Sequence, residues 1–387
     1  ESVSKTLEYA YDDWCISQAA KYLDITNDMD FPRFNQRAQY YKNVFDPKTG
    51  FMRARMNGGW YNPFNPSEVN NNYTEADAWQ YTFFVPQDVS GLANLFGGKS
   101  KFAKQLDALF NASSAMFGRD QSDITGMIGQ YAHGNEPSHQ IIYMYDYLNQ
   151  PWKTQFYVNK VMTDFYKNDP DGLIGNEDCG QMSAWAVLSA MGFYQMCPAQ
   201  LQYAIGTPSF DKVTINLENG KKFIIRAENL SSQNFYIQSA KLNGNDYNKC
   251  YIMHNNITQG GELVFTMGAE PNKSWGSRDE DVPVTEIKIG LISTAPLIQS
   301  DGFSFRKEKT IELNSIEGEQ KIYYTTDGSE PTMNSTLYNK PFKITTTSTI
   351  KAVAFNMDGD MSKVVTANFY AIPAEKIVKI LSKYDNQ

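Results

Sequence analysis

Apolar positions divide the chain into a helical first half and a strand-rich second half. Leu7, Tyr11, Trp14, Cys15 and Tyr22 recur at three-to-four spacing or its multiples, which predicts an amphipathic helix over 5–24. Phe34, Ala38, Tyr41 and Phe45 predict another over 32–45, closed by turn signals at Asp46-Pro47 and Thr49-Gly50. The Asn-, Gly- and Pro-rich stretch 57–72 reads as a long loop carrying Trp60, Tyr61 and Phe64. Helical patterns return over 76–84, 88–96, 100–110, 138–149, 152–167 and 181–193. Gly97-Gly98 is a stop, and Pro137 sits where a helix could begin. Short helices joined by short turns suggest an α/α toroid or bundle over 1–197.

Beyond Pro198 the period changes to two. Segments 212–217, 222–227, 235–241 and 262–267 alternate as strands, so 198–275 reads as an antiparallel β unit packed on the helical part. The polar stretch 274–284 reads as a linker. Six further strand candidates between 304 and 370, with hairpin signals at Asp327-Gly328 and Asp358-Gly359, suit a small immunoglobulin-like sandwich over 285–371. A short helix is expected over 373–383, within a tail at 372–387.

Composition narrows the function. The net charge of −8 argues against a nucleic-acid partner, because phosphate needs a basic surface. No apolar run is long enough for a membrane span. The 24 Tyr, 23 Phe and 6 Trp suit large cores, and some rings could stack on sugars. Cys15, Cys179, Cys197 and Cys250 show no zinc-type spacing. The chain opens at Glu1 without an initiator Met, which reads as an internal fragment or a processed product.

The candidate chemistry lies in three polar segments, YTEADAWQY at 73–81, HGNEPSH at 133–139 and GNEDCGQMS at 175–183. Glu75 stands among aromatic residues. Desolvation there would raise its pKa and favour a protonated acid; its ordinary reading is a first-turn helix glutamate. Asn135 and Glu136 offer oxygen ligands of the kind Ca²⁺ prefers, and His133 could donate to a sugar hydroxyl; the ordinary reading is capping around Pro137. Asn176, Glu177 and Asp178 lie on a tight loop before a helix. A carboxylate there could activate water or simply cap the helix. Together the segments suggest acid/base chemistry on a polyol, since two carboxylates flanking a sugar are the usual apparatus of glycoside cleavage.

Six collinear motifs carry a resemblance: TLEYAYDDWC at 6–15, FDPKTGFMRAR at 45–55, TEADAWQY at 74–81, FVPQDVSGL at 84–92, HGNEPSH at 133–139 and GNEDCGQMSAW at 175–185. Over about 1–275 the chain resembles glycoside hydrolase family 92, the calcium-dependent exo-α-mannosidases. The resemblance implies an inverting enzyme with an (α/α)6 barrel, here its C-terminal part, lacking the family's N-terminal sandwich domain. It implies Glu75 as general acid, Asp178 as general base, Asn135 and Glu136 at the calcium ion, and His133 as a sugar contact. Trp60, Asn176 and Glu177 complete the expected substrate contacts. The family's acid motif commonly reads TEGNAWQY where Ala76-Asp77 stand here, and its base motif in some members reads GDEDNG where Asn176 stands here. YYTTDGSEPT at 323–332 and STIKAVAFNMDG at 348–359 resemble the C-terminal sandwich of chitobiases and related hexosaminidases, an accessory module.

The expectation is thus a multidomain α and β protein: an inverting exo-α-mannosidase, of α-1,2 type, acting on terminal mannose of N-glycans or mannans in a bacterial periplasm or outside the cell. The rivals are a non-catalytic carbohydrate-binding protein on the same scaffold and another (α/α)-barrel hydrolase or lyase. A lyase needs Tyr/His or Lys/Arg facing a uronate, and only 3 His are present.

Overall fold

The computed structural model describes residues 2–23, 30–318 and 320–373. The helix expected over 373–383 lies, but for its first residue, outside the described residues. The chain divides into two compact units: Glu1–Arg53 with Phe64–Leu291, and Ala54–Pro63 with Ile292–Gln387.

The first unit begins with helix Ser2–Tyr22, which buries Val3, Leu7, Ala10 and Trp14 along one stripe. The helix expected over 32–45 is interrupted. It runs Asp30–Arg37, then a 3-10 turn Tyr40–Val44 buries Tyr41, whose hydroxyl donates to Asp88 at 2.8 Å. Helices Val89–Leu95, Lys99–Asn111, Pro151–Phe165 and Gln181–Met191 form close to expectation. Two do not reach their expected length. The pattern over 76–84 yields only Ala78–Tyr81, and that over 138–149 only Met144–Tyr147. Residues 139–148 are all buried, so packing from every side, not one apolar stripe, sets their backbone.

The β part of this unit is not purely antiparallel. Its five-stranded sheet has the order Lys212–Asn216, Lys222–Glu228, Gly261–Gly268, Tyr236–Leu242, Asn245–Asp246. Lys222–Glu228 pairs parallel with Gly261–Gly268, because the chain crosses over through 236–258 before its last long strand enters the middle of the sheet. Phe223, Ile225, Ile237, Leu263 and Phe265 alternate inward to a core that also holds Trp275 and Val282. The 274–284 stretch is therefore not a linker. Trp275 is buried and donates its indole N–H to the Tyr247 carbonyl at 3.0 Å.

In the second unit, Lys309–Asn314 pairs with Leu297–Gln299 and Phe342–Ile344. A five-stranded sheet runs Ser304–Phe305, Val365–Ala371, Ser348–Phe355, Lys321–Thr325, Thr336–Leu337. Ile298, Ile311, Leu313, Ile322, Ile350 and Phe369 from both sheets share one core. Asp358-Gly359 does lie between two paired strands, with Asn356 N–H closing on the Asp360 carbonyl at 3.1 Å. Asp327-Gly328 is no tight hairpin: Lys321–Thr325 pairs with Thr336–Leu337 across a longer connection.

The unit also takes a piece from far upstream. Arg55–Met56 and Gly59–Trp60 form a hairpin that overlaps the start of the 57–72 stretch read as loop, turned by Asn57 (φ 48°) and Gly58 (φ 83°). Ile298 N–H donates to the Gly58 carbonyl at 2.9 Å, and Asn57 exchanges two hydrogen bonds with the Asn368 backbone. A Cβ on Gly59 would stand 2.8 Å from the Ile298 carbonyl oxygen, so only glycine allows this approach.

Candidate active site

The first polar segment is organised by Asp77, not Glu75. Asp77 Oδ1 accepts from the N–H groups of Trp79 (2.9 Å) and Gln80 (3.4 Å), while Gln80 Oε1 accepts from Asp77 N–H at 2.8 Å. This reciprocal cap starts the short helix. Asp77 is fully buried, its Oδ2 has no partner, and burial pushes its carboxyl up to about 7 against the opposing pull of the two N–H groups.

Glu75 thus stands before the helix, not in its first turn. Its backbone is left-handed (φ 51°), a conformation rarely held without support in a non-glycine residue. The support is Asn135, whose Nδ2 donates to the Glu75 carbonyl at 2.9 Å. The aromatic residues around Glu75 in sequence turn elsewhere. The Tyr73 hydroxyl bonds to the Met52 carbonyl, the Tyr81 hydroxyl to Glu8 and the Trp79 indole to Ser67. The Glu75 side chain is exposed. Its pKa is raised, first by partial desolvation and then by the neighbouring carboxylates Asp123, Glu136 and Asp178, with Arg119 opposing. The direction expected from sequence holds, and carboxylate crowding is part of the cause.

The second and third segments meet through two glycines. A Cβ on Gly175 would lie 2.4 Å from the Gly134 carbonyl oxygen, and one on Gly134 would overlap the Thr125 hydroxyl. This backbone-on-backbone approach brings 133–139 and 175–183 together. Asn176 ties in a third stretch, donating to Asp123 Oδ1 at 2.7 Å.

Two residues expected to touch sugar do other work. His133 is fully buried. Its Nδ1 is 2.7 Å from the Tyr131 hydroxyl and its Nε2 2.7 Å from the Tyr166 hydroxyl, so both ring nitrogens are engaged within the wall. Burial and the nearby His139 lower its pKa, keeping the ring neutral. Glu177 caps the following helix. Its two carboxylate oxygens accept from Ser183 N–H (3.1 Å) and the Ser183 hydroxyl (3.0 Å). Glu177 therefore takes the capping role first considered for Asp178. Asp178 stays exposed, held by a turn in which Cys179 (φ 53°) and Gly180 (φ 75°) are both left-handed. Trp60 belongs to the second unit and is not among these groups.

A cavity of about 370 Å³ lies at Asp178 and Glu136, lined also by Gln181, His139, Tyr194 and Phe84 among others; Glu75 is not part of its lining. That volume suits a small ligand. Gln181 Nε2 donates to His139 Nδ1 (3.2 Å) and lies 3.2 Å from the Tyr194 hydroxyl. His139 Nε2 bonds to the His133 carbonyl at 2.9 Å, and burial pushes His139 down to about 4. The polar wall is thus neutral and fixed, with acidic groups as its charged members.

Residues 1–269 match the glycosyl hydrolase family 92 catalytic domain. The chain belongs to glycoside hydrolase family 92. A family GH92 α-mannosidase of Bacteroides thetaiotaomicron is 43% identical and superposes with a TM-score of 0.68, over 73% of this chain and 37% of that one. A family GH92 inverting mannosidase of Bacteroides thetaiotaomicron VPI-5482 is 38% identical, with a TM-score of 0.66 over 74% of this chain and 40% of that one. An Arthroderma benhamiae protein named "Uncharacterized secreted glycosidase" is 32% identical over 309 residues, 73% of this chain and 37% of its own length. The chain therefore spans less than half the length of these relatives. Residues 311–369 match a domain described as "Fn3 associated".

Every member of the carboxylate group falls within the family 92 match. Asp123 and Arg119 belong to this group and were missed in the sequence, because they lie in an irregular stretch with no periodic or motif signal. Among the described residues no group of three or more His, Cys, Asp or Glu is arranged to hold a metal ion, and no helix is long and apolar enough to cross a membrane.

Proposed function

We propose that this chain carries the acid and base of an inverting, calcium-dependent exo-α-mannosidase. Its substrate is α-1,2-linked mannose at the non-reducing ends of N-glycans or mannans, in the periplasm or outside the cell. The observation that carries the reading is the raised pKa of Glu75 beside Asp178, with the Glu75 backbone held by Asn135. The α-mannosidases among its structural relatives, one of them described as inverting and one in complex with mannoimidazole, support the substrate. The relative named secreted supports the location. In this reading the helices of the first unit belong to an (α/α)6 barrel, and the second unit is an immunoglobulin-like sandwich.

The chemistry follows from two carboxyl groups in different roles. Glu75, as the acid, gives a proton to the glycosidic oxygen as the C1–O bond breaks. Asp178, as the base, takes a proton from a water whose oxygen bonds to C1 from the opposite face. One water is consumed and mannose leaves with inverted configuration. Asn135 positions Glu75; Asn176 orients the Asp123 carboxylate whose charge helps raise the Glu75 pKa.

The donors present suit a hard cation. Asn135 spends its amide nitrogen on Glu75, so Oδ1 is the atom it offers, and Glu136 adds a carboxylate. These two residues would hold calcium as part of the roughly six to eight oxygen ligands it takes. Bound there, the ion would supply positive charge and coordination for sugar hydroxyls.

Hydrolysis of α-1,2-mannobiose followed by NMR tests the whole reading. The first mannose released should be the β-anomer. EDTA should abolish turnover and Ca²⁺ restore it, and Glu136→Gln should raise the Ca²⁺ needed by about 10- to 100-fold. Release of α-mannose removes the inverting mechanism. Full turnover after rigorous chelation removes the metal.

A further inference from the structure

The second unit holds a cavity of its own, of about 560 Å³, lined wholly by residues of that unit. The volume lies inside the range of roughly 300–1,000 Å³ seen for small-ligand sites. Its walls come from four places in the chain. The upstream hairpin contributes Trp60, the strand Leu297–Gln299 contributes Gln299, the stretch from Asp301 to Glu312 contributes Asp301, Lys309, Thr310 and Glu312, and the strand Val365–Ala371 contributes Phe369.

The walls are held in place. Trp60 is half-buried on a hairpin tied to Ile298 through the Gly58 carbonyl and to the Asn368 backbone through the Asn57 side chain, and the Arg55 guanidinium carbon sits 6.0 Å from its ring centroid. Gln299 and Glu312 are direct partners across antiparallel strands. Thr310 and Glu312 stand on the exposed side of their strand, whereas Lys309 is buried, with its ammonium paired to Asp301. An indole face, amides, a hydroxyl and carboxylates around one hollow are the groups that recognise a sugar. The ring takes the apolar C–H face of a pyranose, and the polar groups take its hydroxyls. Asp301 is paired with Lys309 and Glu308 with Lys343, so Glu312 gives the rim its net negative charge, which disfavours anionic sugars.

We propose that this cavity is a second glycan-binding site, for neutral hexose chains, separate from the carboxylate cavity of the first unit. It anchors a polysaccharide and plays no part in bond cleavage. The upstream hairpin is then recruited to complete a binding surface that residues 292–373 would form without its indole.

The test uses the full chain with Asp178→Asn as background, so that glycan is not consumed, and neutral α-mannan and polygalacturonate as probes in affinity electrophoresis. The expected result is retention by mannan, no retention by polygalacturonate, and at least a tenfold weaker affinity in both Trp60→Ala and Glu312→Ala, with unchanged circular dichroism. Glu312→Ala keeps the test sound should Trp60→Ala fail to fold, because the Glu312 side chain is exposed. Unchanged mannan affinity in either folded variant would overturn the proposal, as would stronger retention by polygalacturonate or no retention by mannan. Loss of hydrolysis in the parent chain bears on the mannosidase reading alone and leaves this result standing.

Discussion

The acids around Glu75 in the first unit and the acids of the second unit differ in their partners. In the first unit partial desolvation and then the charges of Asp123, Glu136 and Asp178 raise the Glu75 pKa, with Arg119 the one opposing cation among those influences. In the second unit acids are matched by lysines: Asp301 with Lys309, Glu308 with Lys343, Glu330 with Lys351. There the lysine pulls Asp301 below the ordinary carboxylate range. Crowded like charges destabilise a fold, and they are how a carboxyl group stays protonated near neutral pH. Paired charges do little for stability at a surface and leave no reactive group behind. The difference separates a carboxyl group whose pKa is raised from carboxylates paired with a cation.

The sharpest break of that comparison is to remove the reactive carboxyls. Glu75→Gln and Asp178→Asn should each lower mannobioside turnover by about 10²–10⁴-fold. On an aryl mannoside with a good leaving group Glu75→Gln should recover much of its rate and Asp178→Asn should not, because only the acid becomes dispensable. Equal behaviour of the two variants on that substrate would dissolve the assigned roles.

Next in size is Asp77. Its folded pKa of about 7 exceeds the unfolded 3.8, so the folded state binds the extra proton and stability falls as pH rises from about 4 to 7. That gap corresponds to about 4 kcal/mol at most. Asn at this position keeps the capping oxygen and cannot ionise. Asp77→Asn should therefore melt higher than the parent at pH 8, with the difference closing near pH 4. A constant difference across that range would show that Asp77 is not the titrating group.

A smaller effect is expected in the second unit. Gly59→Ala drives a Cβ against the Ile298 carbonyl and should destabilise the docked hairpin by about 1–3 kcal/mol. Hydrogen exchange at the Ile298 amide, which bonds to Gly58, should speed up accordingly. The smallest effect sharpens the comparison directly. Asp123→Asn removes one negative neighbour, so the Glu75 pKa should fall and the basic limb of the kcat/KM profile should move to lower pH. A limb that does not move, or moves upward, would exclude Asp123 from this role.

Much of the secondary structure was legible because burial there is one-sided. The first helix and the strands Lys222–Glu228 and Lys309–Asn314 show the stripe or alternation that one buried face imposes. Residues 139–148 were misread because burial on all sides erases that period. The hairpin at 55–60 did carry a signal, Asn57-Gly58 between short extended pieces, hidden by the loop-like composition around it. In the candidate site, Glu75, Asn135, Glu136, Asn176 and Asp178 were singled out through their motifs. Asp123 and Arg119 had none, and His133 and Glu177 were found but assigned to sugar instead of to a buried wall and a helix cap.

The sequence by itself determined the family, the candidate acid and base, and the change from helices to strands. Those depend on residue identity and local spacing, which a chain carries whatever its fold. The tertiary structure alone decided that Asp77 and not Glu75 caps the helix, that Gly134 and Gly175 bring two motifs together, and that Trp60 joins a unit beginning again at Ile292. Each of these rests on contacts between residues distant in the chain, where a missing Cβ or a single buried carboxyl oxygen settles the arrangement and leaves no mark in the local pattern.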